Sequence, residues 1–340
     1  MTQLDQLWKK GQDFLGVKYP LISGAMSWVS TPVLVEAVGN AGGFGVLAGG
    51  NMPPEALEKD LATCEKCKTP FAVNLITIAP RYKEHIELAA KSSVPFVVFA
   101  GTIPAKEEIA RMKDLGKKVM AFAATEALAN RMLKFGADAL IVEGRESGGH
   151  IGPVSTLVLL QDVLYKFRDK TNVFVAGGVG RGEMVAHLLL MGAAGVQMGT
   201  RFVMTEECQV HAKMKEAFVR AGAKDAVANT QVDPTLPVVS VRALRNKAGE
   251  EFAKLQIDLI AKIGRGEITR TEGILLVENF WLGGLRRAVQ DGDVENGSVM
   301  AGQSVGLMDA IKPMAQVFAD LVAEAESELA RIKSQLTINN

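Results

Sequence analysis

The chain has 340 residues, 48% of them hydrophobic, and balances 38 Lys plus Arg against 38 Asp plus Glu. That length buries one large core or two smaller ones. The balanced charge offers no basic field to nucleic acid or anionic lipid, so neither is an expected partner.

The opening stretch, MTQLDQLWKKGQDF, lacks the apolar core of a signal peptide. No apolar run is long enough to span a bilayer, and three cysteines make no disulfide framework. A cytoplasmic protein is expected. Eight short apolar runs follow: YPLIS (19–23), GFGVLA (43–48), FAVNL (71–75), PFVVFA (95–100), KVMAFA (118–123), ALIVEG (139–144), VFVAGG (173–178) and GVQMGT (195–200). Their richness in Val, Ile and Phe suits strands buried on both faces. Amphipathic stretches such as PPEALEKDLATCEKC and PAKEEIARMKDLGK lie between them. Eight strand–helix units at an even period predict a parallel sheet closed into a (β/α)8 TIM barrel, with an open doubly wound sheet as the alternative.

After about residue 206 the rhythm breaks. Residues 209–221 read as helix, 228–252 as irregular and then helical, and 276–307 turn glycine-rich in their second half. The closing AQVFADLVAEAESELARIKSQL is an amphipathic helix. The expected organisation is a barrel over 1–205, a cap and substrate region over 206–305, and a C-terminal helix over 306–340 packing back on the barrel.

A barrel places its chemistry at the C-terminal ends of its strands. Those ends read SGAM, LAGG, VNL, FAGT, FAAT, VEGRESGGH, AGGVG and MGTRF, rich in small and polar residues. The loops after strands seven and eight carry Gly177, Gly178, Gly199 and Thr200, which suit a phosphate held by backbone N–H groups; tight turns alone are the alternative. Gly24, Ala25 and Met26 after strand one offer backbone on which a flat ring can lie, Asn74 offers a donor and an acceptor, and Glu143 ends strand six. A phosphate site at one rim and a ring site at the other fit flavin mononucleotide.

Of four histidines, His150 alone falls at this face, directly after Gly148 and Gly149. There it can donate a hydrogen bond or a proton to developing charge. His85 and His187 lie within helical patterns, and His211 starts the helix after the barrel. The CEKC stretch (64–67) has no second ligand pair and reads as two helix cysteines, so no metal site is expected.

The ordered set SGAMSWV, AGGFGVLAGGN, PFAVNL, EGRESGGHIG, AGGVGRGE, MGTRFV and GDVENGSVMAGQSVGL resembles the FMN-dependent barrel oxidoreductases. These include the nitronate monooxygenases and the flavin-type (FabK-type) enoyl-acyl-carrier-protein reductases. The resemblance runs from about residue 14 to about 330, and GDVENGSVMAGQSVGL and AGGNMPPEAL look more like the reductase branch; residues 222–240 depart from the pattern. It implies FMN contacts at Gly24, Ala25, Met26, Asn74, Glu143, Gly177, Gly178, Gly199 and Thr200, with Gly148 and Gly149 joining the cofactor-binding set and His150 as the essential catalytic residue. The activity it implies first is reduction of an enoyl thioester by NADH or NADPH through FMN. Oxidation of alkyl nitronates with oxygen is the alternative, and an NADH:quinone reductase or NADH oxidase a further one. The partners implied are a small-molecule or acyl-carrier-protein-bound substrate, with no nucleic acid and no membrane; a homodimer is left open.

Overall fold

A computed structural model of the chain describes residues 2–50 and 52–337. Met1, Asn51 in the AGGNMPPEAL stretch, and residues 338–340 at the end of the closing segment lie outside the described residues.

Two short helices, α1 (Gln3–Leu7) and α2 (Lys9–Leu15), precede strand β1 (Leu21–Ser23). Helices and strands then alternate: α3 (Pro32–Asn40), β2 (Phe44–Ala48), α4 (Pro54–Cys64), β3 (Phe71–Ile76), α5 (Tyr82–Lys91), β4 (Phe96–Ala100), α6 (Lys106–Asp114), β5 (Lys118–Phe122), α7 (Glu126–Phe135) and β6 (Ala139–Glu143). A two-residue strand, β7 (Gly149–His150), sits in the next loop. One helical stretch follows as α8 (Thr156–Leu159), a π-helical turn (Leu160–Leu164) and α9 (Tyr165–Phe167). It leads into β8 (Asn172–Ala176), α10 (Gly182–Leu190) and β9 (Gly195–Met198).

Strands β1 to β6, β8 and β9 pair in that order and close into a barrel, with β9 parallel to β1. They coincide with the eight apolar runs, and the open-sheet alternative falls away. The chain marks its own boundaries. Thr125 caps α7 by accepting a hydrogen bond from the Leu128 N–H, and Gly136 ends that helix at φ +104°, a left-handed turn that favours glycine.

Side chains alternate across each strand. One set packs under the helices; the other fills the barrel with Ile22, Phe44, Val46, Phe96, Val98, Met120, Ile141 and Phe174. Phe14 and Leu15 of α2 plug the bottom, Phe14 stacking edge-on against Phe96 with ring centroids 5.6 Å apart. Burying each such side chain contributes roughly 1.5–3 kcal/mol, so the floor of the barrel is a filled core and not a channel.

Beyond β9 the chain leaves the barrel through α11 (Thr200–Val203), α12 (Ala212–Arg220), β10 (Ala226–Asn229), β11 (Val241–Leu244), α13 (Lys247–Gly264) and α14 (Arg270–Arg286). It returns in α15 (Met314–Thr337), which packs along α10 and touches α1 and α3, where the eighth barrel helix belongs. The excursion has a core of its own, in which the buried rings of Phe252 and Trp281 lie 4.2 Å apart. Residues 228–252 are more regular than the sequence suggests. Here β11 pairs antiparallel with β10 on one side and with β7 on the other, tying the excursion to the loop after β6.

Candidate active site

The inward-facing layer changes character toward the C-terminal ends of the strands. Above the bulky floor, the same alternation turns Gly24, Ala48, Asn74, Ala100, Glu143 and Gln197 inward. Small residues leave room, and three polar groups line it. A Cβ on Gly24 would meet the Gln197 side chain at 3.0 Å, so the backbone of the first loop lies close against that amide. Asn74 is buried and donates through Nδ2 to the Val98 carbonyl at 3.1 Å, which fixes its amide.

Glu143 is half-buried at the end of β6, with its carboxyl desolvated. Loss of solvent pushes its carboxyl up to about 7, opposed weakly by the Ser147 hydroxyl and the charge of His150. The Ser147 hydroxyl lies beside the carboxyl but short of hydrogen-bonding geometry. A carboxyl poised near neutrality both accepts and donates hydrogen bonds, as contact with a polyol or a ring N–H requires.

The loop from Glu143 to His150 is fastened at several points. Glu146 accepts from the Thr156 N–H at 2.8 Å and from its hydroxyl at 2.6 Å, capping α8. The Gln303 N–H donates to the Glu146 carbonyl at 2.9 Å. Gly148 packs against the Ala301–Gly302 backbone, where a Cβ would approach to 2.6 Å. Gly149 turns at φ +72°, and β7 then aligns His150 with Val241 and Gly149 with Arg242 of β11. Arg242 is buried without a carboxylate partner. Its Nη1 donates to the Ala226 carbonyl at 2.6 Å, and its Nη2 and Nε donate to the Arg145 carbonyl at 3.0 and 3.3 Å. The His150 side chain is half-exposed, with Nε2 3.2 Å from Glu278 Oε2 on α14.

The other predicted residues divide. Gly177 and Gly178, at φ +92° and +77°, form a left-handed pair whose turn only glycine adopts without strain. Gly199 has no room for a large side chain, since a Cβ would sit 3.2 Å from Met26 Sδ. The Thr200 hydroxyl accepts from the Gly302 N–H at 2.9 Å, which leaves its own proton to donate. Ala25 packs against the barrel interior and Met26 against the outer core. Their turn is closed by Ser30, whose hydroxyl accepts from the Met26 N–H at 2.9 Å and donates to the Gly24 carbonyl at 3.0 Å. The start of α10 is already taken: the Gly182 N–H donates to Glu324 of α15 at 2.6 Å. At this rim the Gly177–Gly178 turn stands beside an α10 N-terminus whose Gly182 N–H is already bonded.

Sequence reading missed Gln197, Arg242 and Glu278. Gln197 was detectable as the lone polar residue inside the strand GVQM (195–198); the other two carry no local signal. His85 is buried, with Nε2 2.8 Å from the Met52 carbonyl, His187 contacts Glu328 at 2.7 Å, and His211 accepts from the Lys213 N–H as a helix cap. All three have structural partners. Cys64 closes α4 fully buried, and burial pushes its thiol far above the usual range. Two open hollows on the helical shell, one between Tyr165, Arg168 and Leu190, the other between Lys10, Arg168 and Asp169, are remote from the strand ends.

A closed (β/α)8 barrel with small and polar residues confined to the C-terminal rim defines a barrel enzyme. The chain belongs to the nitronate monooxygenase family, whose model matches residues 9–91 and 76–324, and it is an oxidoreductase. It is 31% identical to a (3aS,4S,5R,7aS)-5-hydroxy-7a-methyl-1-oxo-octahydro-1H-indene-4-carboxyl-CoA dehydrogenase of Mycobacterium tuberculosis, over 93% of this chain and 96% of that one. A probable nitronate monooxygenase of Staphylococcus aureus is 26% identical, over 74% of this chain and 83% of that one. The solved structure of FabK from Thermotoga maritima superposes with a TM-score of 0.83 at 35% identity, covering 95% of this chain and 98% of that one.

Proposed function

We propose that the chain is an FMN-dependent oxidoreductase that uses NADH or NADPH to reduce the carbon–carbon double bond of an enoyl thioester carried on acyl carrier protein or coenzyme A. The observation that carries this reading is the placement of His150 at the rim, within electrostatic reach of the half-buried Glu143 and above a hollow lined by Asn74, Glu143 and Gln197. Two relatives support the thioester. One is FabK at 35% identity, and the other bears a coenzyme A substrate in its name.

The residues present fit FMN. The Gly24–Met26 backbone and the inward Asn74 and Gln197 amides would hold the flat ring, and Glu143 would meet the polyol chain. Gly177, Gly178, Gly199 and Thr200 would hold the phosphate, with Gly148 and Gly149 shaping the wall between. FMN bound there supplies hydride transfer from the nicotinamide to the β-carbon of the thioester. His150 meets the charge that grows on the thioester oxygen, and the α-carbon receives a proton. The chain's own contribution is orientation and charge, with the excursion after β9 serving as the cap and substrate region. Among the described residues no helix is long and apolar enough to cross a membrane, and we place the enzyme in the cytoplasm.

A second reading, oxidation of alkyl nitronates, is favoured by the family match and the Staphylococcus relative. Anaerobic spectroscopy of the purified yellow protein separates the two. On the first reading NADH or NADPH bleaches the flavin and crotonyl thioester restores it. Bleaching by a nitronate, with no response to the thioester, favours the second. Recovery by a quinone alone points to a quinone reductase.

A further inference from the structure

We propose that Glu278 is the positioning residue of His150, so that the excursion completes the barrel's active site and does more than cover it. This rests on the reading of His150 as the histidine at the reacting centre. His150 belongs to the loop after β6, yet the carboxylate nearest its imidazole comes from α14, 128 positions along the chain at residue 278, at 3.2 Å from Nε2. No segment of the barrel supplies an equivalent contact: Glu146 is spent on Thr156, and Glu143 lies beneath at the end of β6.

The other charged groups around the loop are engaged elsewhere. Arg242 on β11 donates to the carbonyls of Ala226 and Arg145, with the Glu146 carboxylate within electrostatic reach. Arg145 directs Nη1 toward the Pro153 carbonyl. Among the described residues the imidazole therefore has one carboxylate at contact distance, Glu278, with the half-buried Glu143 carboxyl within electrostatic reach on the barrel side.

Two constraints then act on one residue. The β7–β11 pairing fixes the backbone of Gly149 and His150, and the Arg242 guanidinium fixes the Arg145 carbonyl earlier in the same loop. Glu278 Oε2 stands 3.2 Å from Nε2, an ion-pair contact on one side of the ring that limits where the imidazole can turn. A half-exposed imidazole without that hold samples several rotamers, and a donor aimed at developing charge loses its effect when misplaced by about 1 Å. Glu278 is itself only one-quarter exposed, 25% by side chain, which keeps the contact from being a freely solvated surface pair.

The test compares wild type, Glu278→Gln and Glu278→Ala as holoproteins. Stopped-flow measurement separates flavin reduction by NADH or NADPH from reoxidation by crotonyl thioester. Glu278→Ala should slow the thioester half-reaction about 10- to 100-fold, the cost of a group misplaced by about 1 Å. It should leave the nicotinamide half-reaction and the FMN content unchanged. Glu278→Gln, which keeps an acceptor of the same shape, should recover part of the loss. A general loss of fold would lower both half-reactions and the FMN content together, with no rescue by Gln.

The second readout needs no turnover. With four histidines in the chain, ring proton–nitrogen correlation spectra are sparse. Glu278→Ala should move the His150 signals, assigned through His150→Ala, and leave the other three in place. Unmoved His150 signals overturn the pairing. Moved signals with an unchanged thioester half-reaction overturn the positioning role. If His150→Ala itself proves silent on every substrate, the functional reading of His150 fails, and the ring spectra still decide whether Glu278 holds it.

Discussion

Replacing Glu143 with glutamine tests whether the barrel holds a carboxyl out of water at the site. Folding raises this group from 4.5 to about 7 because burial disfavours the charged form. Below about pH 4.5 the folded and unfolded chains both carry the proton, and the group costs no stability. Between about pH 4.5 and 7 the unfolded chain has released its proton while the folded chain keeps it, so stability falls as pH rises through that window. Above about pH 7 the loss levels off. A tenfold difference in proton affinity between the folded and unfolded chains is worth about 1.4 kcal/mol, which sets a ceiling of about 3 kcal/mol. Glu143 opens to the hollow, and solvent there reduces the expected loss to about 2 kcal/mol. Glutamine has nearly the shape of the protonated acid and stays neutral. Urea unfolding of flavin-free wild type and Glu143→Gln, at about pH 5 and about pH 8, should show the variant gaining about 2 kcal/mol on wild type between the two. A difference that stays flat with pH, or one in which wild type gains as pH rises, would falsify the account of a desolvated carboxyl.

On the proposed reading of an FMN-dependent enoyl thioester reductase, three further outcomes are expected. Gly178→Ala should fold with a loss of about 1–2 kcal/mol, because φ is +77°, and keep its flavin, whereas Gly178→Asp should shed it by setting a carboxylate against the phosphate; flavin-to-protein absorbance ratios compare the two, and equal occupancy would remove the loop from the phosphate site. His150→Ala should retain FMN and lose about two to three orders of magnitude in enoyl thioester turnover, with NADH oxidation by oxygen affected less, since that route builds no thioester oxyanion; steady-state rates on both substrates check it, and an unchanged thioester rate excludes His150. Cys64→Ser with Cys67→Ser should leave activity and metal content unchanged, while the hydroxyl placed at buried position 64 costs about 1–3 kcal/mol in thermal unfolding; a metal lost with the two thiols would show that CEKC binds it.

The barrel was legible because its strands are buried on both faces. Runs such as PFVVFA and ALIVEG stand out as continuous apolar segments, and their even spacing gives the period. The rim was legible too, since Asn74 and Glu143 interrupt those runs at their C-terminal ends. The small sheet of β7, β10 and β11 was not. Its strands have two, four and four residues, and His150 pairs with Val241 across most of the barrel's second half. Arg242 in VRAL reads as one exposed side of a short strand, yet it is buried and bonded only to carbonyls. Glu278 sits in a helix where acids ordinarily face water, and its partner cannot be read from spacing. Local pattern encodes elements; these contacts depend on which distant segments meet.

Those distant meetings explain why the excursion lies between the last strand and the last helix. Its β11 and α14 hold the His150 loop through Arg242, the β7 pairing and Glu278. Its return helix, α15, holds the opposite rim, where Glu324 caps the Gly182 N–H just beyond the Gly177–Gly178 turn. Gly182 is glycine because α15 approaches there too closely for a Cβ. Gly302, near the end of the excursion, joins the two sides by donating to Thr200 while its neighbour Ala301 packs on Gly148. One continuous segment therefore fastens both halves of the rim, at the His150 loop through β11 and α14 and at the start of α10 through α15. The geometry at the rim is thus a property of the closed barrel and not of its separate loops.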